Sequence, residues 1–147
     1  MKKITYFALI AITALVVYAF TNPKVDFKAD TKEGIQFHKG TWEEALQLAK
    51  KENKLIFLDI YATWCGHCKK LKTKTFSNEK VGNFYNQNFI NVALDGEKGE
   101  GADLMKKYNL NSFPSLLFID NTGKVIAESR GYQNAEELIK FGKKYTK

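Results

Sequence analysis

Two cysteines, the only two in the 147-residue chain, lie three positions apart in the segment Cys65-Gly66-His67-Cys68. The segment stands between a predicted buried strand and a predicted helix, so the first sulfur is expected at a helix amino terminus. Free backbone N–H groups and the helix dipole stabilise a thiolate there, which makes Cys65 both a nucleophile and a good leaving group. Cys68, one turn later, can attack a mixed disulfide formed on Cys65. The spacing therefore predicts thiol–disulfide exchange.

The two residues between the sulfurs tune this chemistry. His67 places a polarisable donor beside the Cys65 thiolate, and Gly66 adds no side chain. A donor at this position stabilises the reduced form, so we expect the disulfide to be more oxidising than one with an apolar residue there.

Three other uses of the cysteine pair fit the sequence less well. A structural disulfide gains little over so short a loop, because the entropy gain grows with loop length. A zinc site needs four ligands, and the whole inventory of Cys and His is Cys65, Cys68, His67 and the distant His38. Haem attachment requires Cys-x-x-Cys-His, but Lys69 follows the second cysteine. We therefore expect neither a metal site nor a bound cofactor.

The elements that must position the pair follow from hydrophobic periodicity. The apolar run at 55–60 is typical of a central strand buried on both faces. Thr41 and Glu44 form a capping box that starts a helix. Further helices are predicted over 65–75, 77–85, 102–108 and 134–145, and further strands over 89–94, 115–119 and 125–128. This order predicts an α/β layered domain, with parallel pairs joined by crossover helices and one antiparallel hairpin.

The amino terminus has the pattern of an export signal. A basic head, Met1-Lys2-Lys3, precedes 17 uncharged residues that run from Ile4 to Phe20. A signal peptide cleaved after Ala19 and a retained membrane anchor both fit this length. We assign residues 1–19 to that signal or anchor, 20–33 to a polar linker or tail, and 34–147 to the folded domain. The expected location is periplasmic, or on the extracytoplasmic face of the inner membrane.

The composition fits one folded domain. Hydrophobic residues at 44% and charged residues at 27% exclude a disordered or collagen-like chain. Two cysteines exclude a disulfide-rich scaffold. The net charge of +7 is spread along the chain, and its densest run is formed by the lysines at 69, 70, 72 and 74. Because exposed aromatic residues do not interleave that run, we predict a solvated helix face there and no nucleic-acid partner.

The segment LDIYATWCGHCK at 58–69 resembles the active-site segment of the thioredoxin superfamily. The segments KTFSNEKV at 74–81 and SFPS at 112–115 narrow the resemblance. They are similar to the exported C-terminal thioredoxin-like domain of bacterial thiol:disulfide interchange proteins and to small single-domain relatives of it. The similarity runs from about Gly40 to Tyr145. It implies a thioredoxin fold, in which a central mixed β-sheet is flanked by helices on both faces.

The resemblance also implies roles for single residues. Asp59 matches the buried acid of the family, which would take and return the proton of Cys68. Pro114 matches the cis-proline that sits against the cysteine pair. A cis bond there would present the backbone of Phe113 for strand-like pairing with an extended substrate.

Further positions match the border of the site, and two depart from the family pattern. Trp64 would cover the disulfide and contact substrate, Tyr61 would border the site, and Gly131 would let a bound chain approach closely. Gly66-His67 replaces the apolar pair usual in interchange domains and matches protein disulfide isomerases, which argues for a more oxidising couple. Lys72 stands where those domains commonly carry a second acid, which predicts a lower thiolate pKa.

The expected function is that of a thiol:disulfide oxidoreductase of the cell envelope, which reduces or isomerises protein disulfides through Cys65 and Cys68. Its expected partners are protein thiols and disulfides, with electrons supplied by a membrane protein, and cytochrome c precursors are one specific substrate class. A disulfide-donating oxidase uses the same site in reverse. A non-catalytic thioredoxin-fold chaperone or adaptor, and a metal carrier on Cys65, Cys68 and His67, are the alternatives from other classes.

Overall fold

The computed structural model describes residues 25–27 and 31–146. The predicted signal or anchor at 1–19 lies outside the described residues, as does most of the predicted linker. Within the described ranges, no helix has both the length and the apolar character needed to cross a membrane.

Nine α-helices and strands follow one another in the described chain, with a short π-helical segment between two of them. They are α1 (Trp42–Glu52), β1 (Leu55–Tyr61), α2 (Gly66–Lys70), the π segment (Leu71–Phe76), α3 (Glu79–Asn88), β2 (Phe89–Asp95), α4 (Gly99–Lys107), β3 (Ser115–Ile119), β4 (Val125–Arg130) and α5 (Ala135–Lys143).

The four strands form one mixed sheet in the order β2-β1-β3-β4. β1 pairs in parallel with β2 and antiparallel with β3, and β3 pairs antiparallel with β4. The expectation of several parallel pairs is therefore wrong, since β1–β2 is the only parallel pair among the described strands. The cause is the connection after α4, which returns the chain to the carboxyl end of β1, where Ser115 pairs with Ile60.

Both faces of the sheet are covered, as predicted. Alternation along β1 sends Ile56, Leu58 and Ile60 into the core under α1 and α4. Phe57 points to the opposite face, into an aromatic-rich core under the π segment, α3 and α5. The central strand is therefore buried on both faces, which explains its nearly continuous apolar sequence.

Several helix boundaries follow local capping. The predicted box is present at α1, where the Glu44 backbone N–H donates to Thr41 Oγ1 at 3.2 Å and the Glu44 carboxylate accepts the Thr41 N–H at 2.7 Å. Asn134 caps α5 in the same way. α4 begins at Gly99, three residues earlier than expected, and its Glu100 carboxylate accepts the Trp42 backbone N–H at 3.0 Å. This contact joins the first turns of α1 and α4.

The predicted single helix over 65–75 is instead α2 followed by the π segment. A π-helical turn holds an extra residue compared with an α-helical turn, and such turns are frequent at functional sites. It keeps the chain helical while it changes which side chains face the sheet.

Candidate active site

The cysteine pair lies where β1 runs into α2. Cys65 is the N-cap of α2, and its Sγ accepts the backbone N–H of Cys68 at 3.1 Å. The two sulfurs form a disulfide, with 5.3 Å between the Cα atoms. Cys65 is 5% exposed and Cys68 2% exposed. In the reduced protein the same N–H would donate to the sulfur of Cys65, the position at which a helix amino terminus stabilises a thiolate.

Asp59 lies on β1 and is buried on the same face of the sheet as Phe57. Its Oδ1 has no hydrogen-bond partner among the residues that the structure describes. Burial raises the pKa of Asp59 from its usual value of 3.8 to about 7, and the positive charge of Lys72 acts in the opposite direction. A carboxyl group with this pKa can both accept and return a proton at neutral pH.

Lys72 corrects one expectation from the sequence. The lysines at 69, 70 and 74 are exposed, as expected for a solvated face, but Lys72 is buried. It lies four residues after Cys68, so it shares the inward face of the helical turn. Its Nζ lies 5.1 Å from the centroid of the Phe37 ring. Because Lys72 belongs to a run of lysines, the sequence predicted that it would be exposed like the others. Its departure from the family pattern was the one feature that distinguished it from them.

Trp64 and Phe113 form the open side of the site. Trp64 is 66% exposed, and its ring meets Phe113 edge-on with 5.9 Å between centroids. The indole Nε1–H donates to Glu97 Oε1 at 3.0 Å. Glu97 is a residue of the site that was not predicted from the sequence. The indole is therefore exposed to solvent yet fixed in orientation.

The loop before β3 meets the end of β4 beside this surface. The Phe113–Pro114 peptide bond is cis, and the Pro114 carbonyl accepts the Gly131 backbone N–H at 2.9 Å. Gly131 has a φ of +83°, a conformation that favours glycine, and a Cβ there would meet no atom within 4 Å. This geometry leaves open space next to the loop.

Phe27 is a site residue that sequence reasoning missed. It falls in the segment predicted to be a linker or tail, yet it is 5% exposed and stacks on Tyr61 with 4.1 Å between centroids and 9° between ring planes. Both rings belong to one buried cluster with Ala62 and the two cysteines. The signal available in the sequence was the pair of apolar residues, Val25 and Phe27, in an otherwise polar stretch.

Gly66 and His67 lie exposed on the first turn of α2. A side chain at Gly66 would have no atom within 4 Å. No group of three or more His, Cys, Asp or Glu side chains within 25–27 and 31–146 is placed to hold a metal ion. His38 was the other candidate zinc ligand. Its backbone N–H donates to the Asn91 carbonyl at the edge of the sheet.

The chain is similar to several known proteins. Residues 42–146 match the family model of a thioredoxin-like domain. The thiol:disulfide interchange protein DsbD of Yersinia pestis is 34% identical over 95 residues, which are 63% of this chain and 16% of that protein. Protein disulfide-isomerase of Ricinus communis is 32% identical over 96 residues, which are 63% of this chain and 19% of that protein. The chain thus spans less than a fifth of the length of these two relatives.

Solved structures agree with the fold. A putative disulphide-isomerase from Bacteroides thetaiotaomicron is 42% identical, with a TM-score of 0.67, and the match covers 78% of this chain and 94% of that one. The oxidised C-terminal domain of Neisseria meningitidis DsbD has a TM-score of 0.60 at 23% identity, and the match covers 76% of this chain and 98% of that one. The second match supports the fold alone.

Proposed function

Because the chain belongs to the thioredoxin-like domain family, we propose that it is a thiol:disulfide oxidoreductase of the cell envelope that reduces or isomerises disulfides in exported proteins. The observation that carries this proposal is the Cys65–Cys68 disulfide at the start of α2, next to a strand that buries Asp59. In this proposal Cys65 is the nucleophile, Cys68 the resolving thiol and Asp59 the proton acceptor, on consecutive elements of the fold.

Reduction of a substrate disulfide proceeds in two exchanges. The Cys65 thiolate attacks one substrate sulfur, the substrate S–S bond breaks, and the other substrate sulfur leaves as a thiolate that takes up a proton. Cys68 then loses its proton to Asp59 and attacks the sulfur of Cys65 in the mixed disulfide. The second substrate thiolate leaves and receives that proton. The enzyme dithiol supplies both electrons and ends as the Cys65–Cys68 disulfide.

The open side of the site fits an extended protein chain. Trp64 offers an exposed, oriented ring, and the space beside Gly131 leaves room for a backbone. The backbone of Phe113, which precedes Pro114, would pair with the bound chain in strand fashion. These residues bind substrate in this proposal, and Gly66 and His67 set the potential.

The direction of exchange rests on opposing features. Similarity to the interchange proteins favours a reductase or isomerase that receives electrons from a membrane protein, whereas His67 favours a more oxidising couple. We assign the reducing or isomerising direction, with cytochrome c precursors as one substrate class. The envelope location rests on the sequence at 1–19, which would be an export signal or anchor ahead of a domain at 34–147.

The redox equilibrium of the pair with glutathione tests the direction. A reduction potential between about −270 and about −180 mV, the range from reducing thioredoxins to disulfide isomerases, supports this assignment. A value near about −120 mV, typical of strong oxidants of disulfide formation, would overturn it.

Trapping tests the chemistry itself. Cys68→Ser should accumulate mixed disulfides between Cys65 and exported proteins, visible as bands that disappear on reduction, and Cys65→Ser should not. The double variant should fail to accelerate insulin reduction by dithiothreitol. If the double variant kept full function in the cell, the chain would be a thioredoxin-fold chaperone or adaptor instead.

A further inference from the structure

We propose that Phe27 is a selectivity-determining residue of the disulfide site, which closes the Tyr61 side of the cysteine pair to small thiols and leaves protein partners to react from the Trp64 side. The inference rests on the proposed function, because it assumes that the pair exchanges with partner proteins. It assigns a role at the active site to a segment outside residues 42–146, which match the thioredoxin-like domain.

The packing of Phe27 supports a specific contact. Two rings at 4.1 Å and 9° overlap face to face, and each is at most 5% exposed. Tyr61 is the last residue of β1, four residues before Cys65. Phe27 and Tyr61 share one buried cluster with both cysteines, and Val25 packs against it. The ring of Phe27 therefore belongs to the buried cluster that contains the disulfide, and in this proposal it forms part of the wall around it.

The aromatic residues near the disulfide differ sharply in exposure. Phe27, Tyr61 and Ala62 are all buried. Trp64 is two-thirds exposed, and its ring contacts that of Phe113. A thiolate must approach along the S–S axis to attack, so a wall on one side restricts the directions from which attack on Cys65 succeeds. A partner that binds on Trp64 comes from the open side.

The test measures the rate at which dithiothreitol and glutathione reduce the Cys65–Cys68 disulfide in the full chain, followed by quenched maleimide labelling. Phe27→Ala should speed reduction by small thiols by about fivefold, because access controls the rate of exchange. Phe27→Leu keeps an apolar cover and should stay within about twofold of the wild type. The rate of exchange with a reduced partner protein should change less than the rate with small thiols. The protein rate divided by the small-thiol rate should therefore be lower in Phe27→Ala than in the wild type.

A matched control separates cover from stability. Phe141 packs against Phe118 with 5.0 Å between ring centroids and 47° between ring planes, in the cluster that does not contain the cysteines. Phe141→Ala should lower the thermal midpoint and leave the small-thiol rates unchanged. Equal small-thiol rates in wild type and Phe27→Ala would overturn the inference while leaving the proposed function intact. A wild-type disulfide that exchanges with no dithiol at all would instead overturn the proposed function.

Discussion

Asp59 and Lys72 are the two charged side chains that are buried in the described part of the chain, and the positive charge of Lys72 lowers the pKa of Asp59 against the effect of burial. Asp59 lies on the strand before the cysteine pair, and Lys72 lies in the π segment after it. The two residues therefore flank the cysteine pair in the sequence. Lys72 influences the protonation state of Asp59, the acid proposed to exchange a proton with Cys68.

Replacement of Lys72 by Met should move the titration of Asp59 to higher pH. The Met side chain has a similar length but no charge, so the desolvation of Asp59 is no longer offset and its pKa rises above about 7. We expect an upward shift of about one pH unit. The carboxyl ¹³C resonance of Asp59, followed against pH in the oxidised protein, measures it. Lys72→Arg keeps the charge and should titrate like the wild type, and equal titration of all three proteins would show that Lys72 has no influence.

The stability of the oxidised protein should fall as pH rises from about 4 to about 7, because of Asp59. The unfolded chain ionises this carboxyl near 3.8, whereas the folded chain keeps it protonated up to about 7. In that window the unfolded state releases a proton that the folded state holds, so the free energy of unfolding decreases by roughly 4 kcal/mol.

Asp59→Asn isolates this contribution, since the amide is neutral at every pH. Denaturant unfolding between pH 4 and pH 8 should show that the free energy of unfolding of the variant increases relative to that of the wild type as pH rises. The difference should be largest above pH 7. A constant difference across that range would mean that Asp59 titrates in the folded protein as it does in the unfolded chain.

Periodicity predicted the bounds of the strands with little error, although it did not predict how they pair. The strand at 115–119 has the predicted bounds, and β1 extends the predicted strand by one residue. These strands are determined by the local pattern of apolar residues and by burial on both faces, and both features can be recognised in the sequence. Thr41 and Asn134 start their helices for the same reason, since an N-cap acts within one turn.

Long-range packing accounts for what the sequence did not predict. The π segment has an ordinary helical sequence, and its register follows from contact with the core. Lys72 is buried within a lysine run that is otherwise exposed. Phe27 reaches Tyr61 across 34 positions of sequence, a distance at which no local pattern carries information. The cysteine pair and the bordering residues Trp64 and Pro114 were predicted from the sequence motif, whereas the contact of Phe27 and the burial of Lys72 required the fold.

Gly82 should tolerate no side chain. A Cβ built there lies 2.7 Å from the Gly34 carbonyl oxygen and closer still to other backbone atoms of residues 33 and 34. Gly82→Ala must push this segment away from α3, at a cost of about 1 to 3 kcal/mol in the free energy of unfolding. Gly66→Ala is the matched control, because its Cβ meets no atom within 4 Å. Urea unfolding of both variants measures the difference, and equal stability would contradict the close approach.

The hydrogen bond from Trp64 to Glu97 should matter for protein substrates and not for small ones. The indole is fixed by this bond at 3.0 Å and by the edge of Phe113. Glu97→Ala frees the ring to rotate, so a substrate must order it on binding. The KM for a disulfide-bonded protein should rise by about two- to fivefold, with kcat less affected, since an exposed hydrogen bond contributes about 0.5 to 1 kcal/mol.

Glu97→Gln distinguishes the bond from the charge. The amide oxygen still accepts the indole N–H of Trp64, so this variant should keep a KM close to that of the wild type, while Glu97→Ala and Trp64→Phe should both raise it. Reduction of the Cys65–Cys68 disulfide by dithiothreitol should be the same in all of them, because a small dithiol does not bind on the indole. If Gln raised the KM as much as Ala, the negative charge of Glu97 would be the feature that substrates recognise, and the orientation of Trp64 would be incidental to binding.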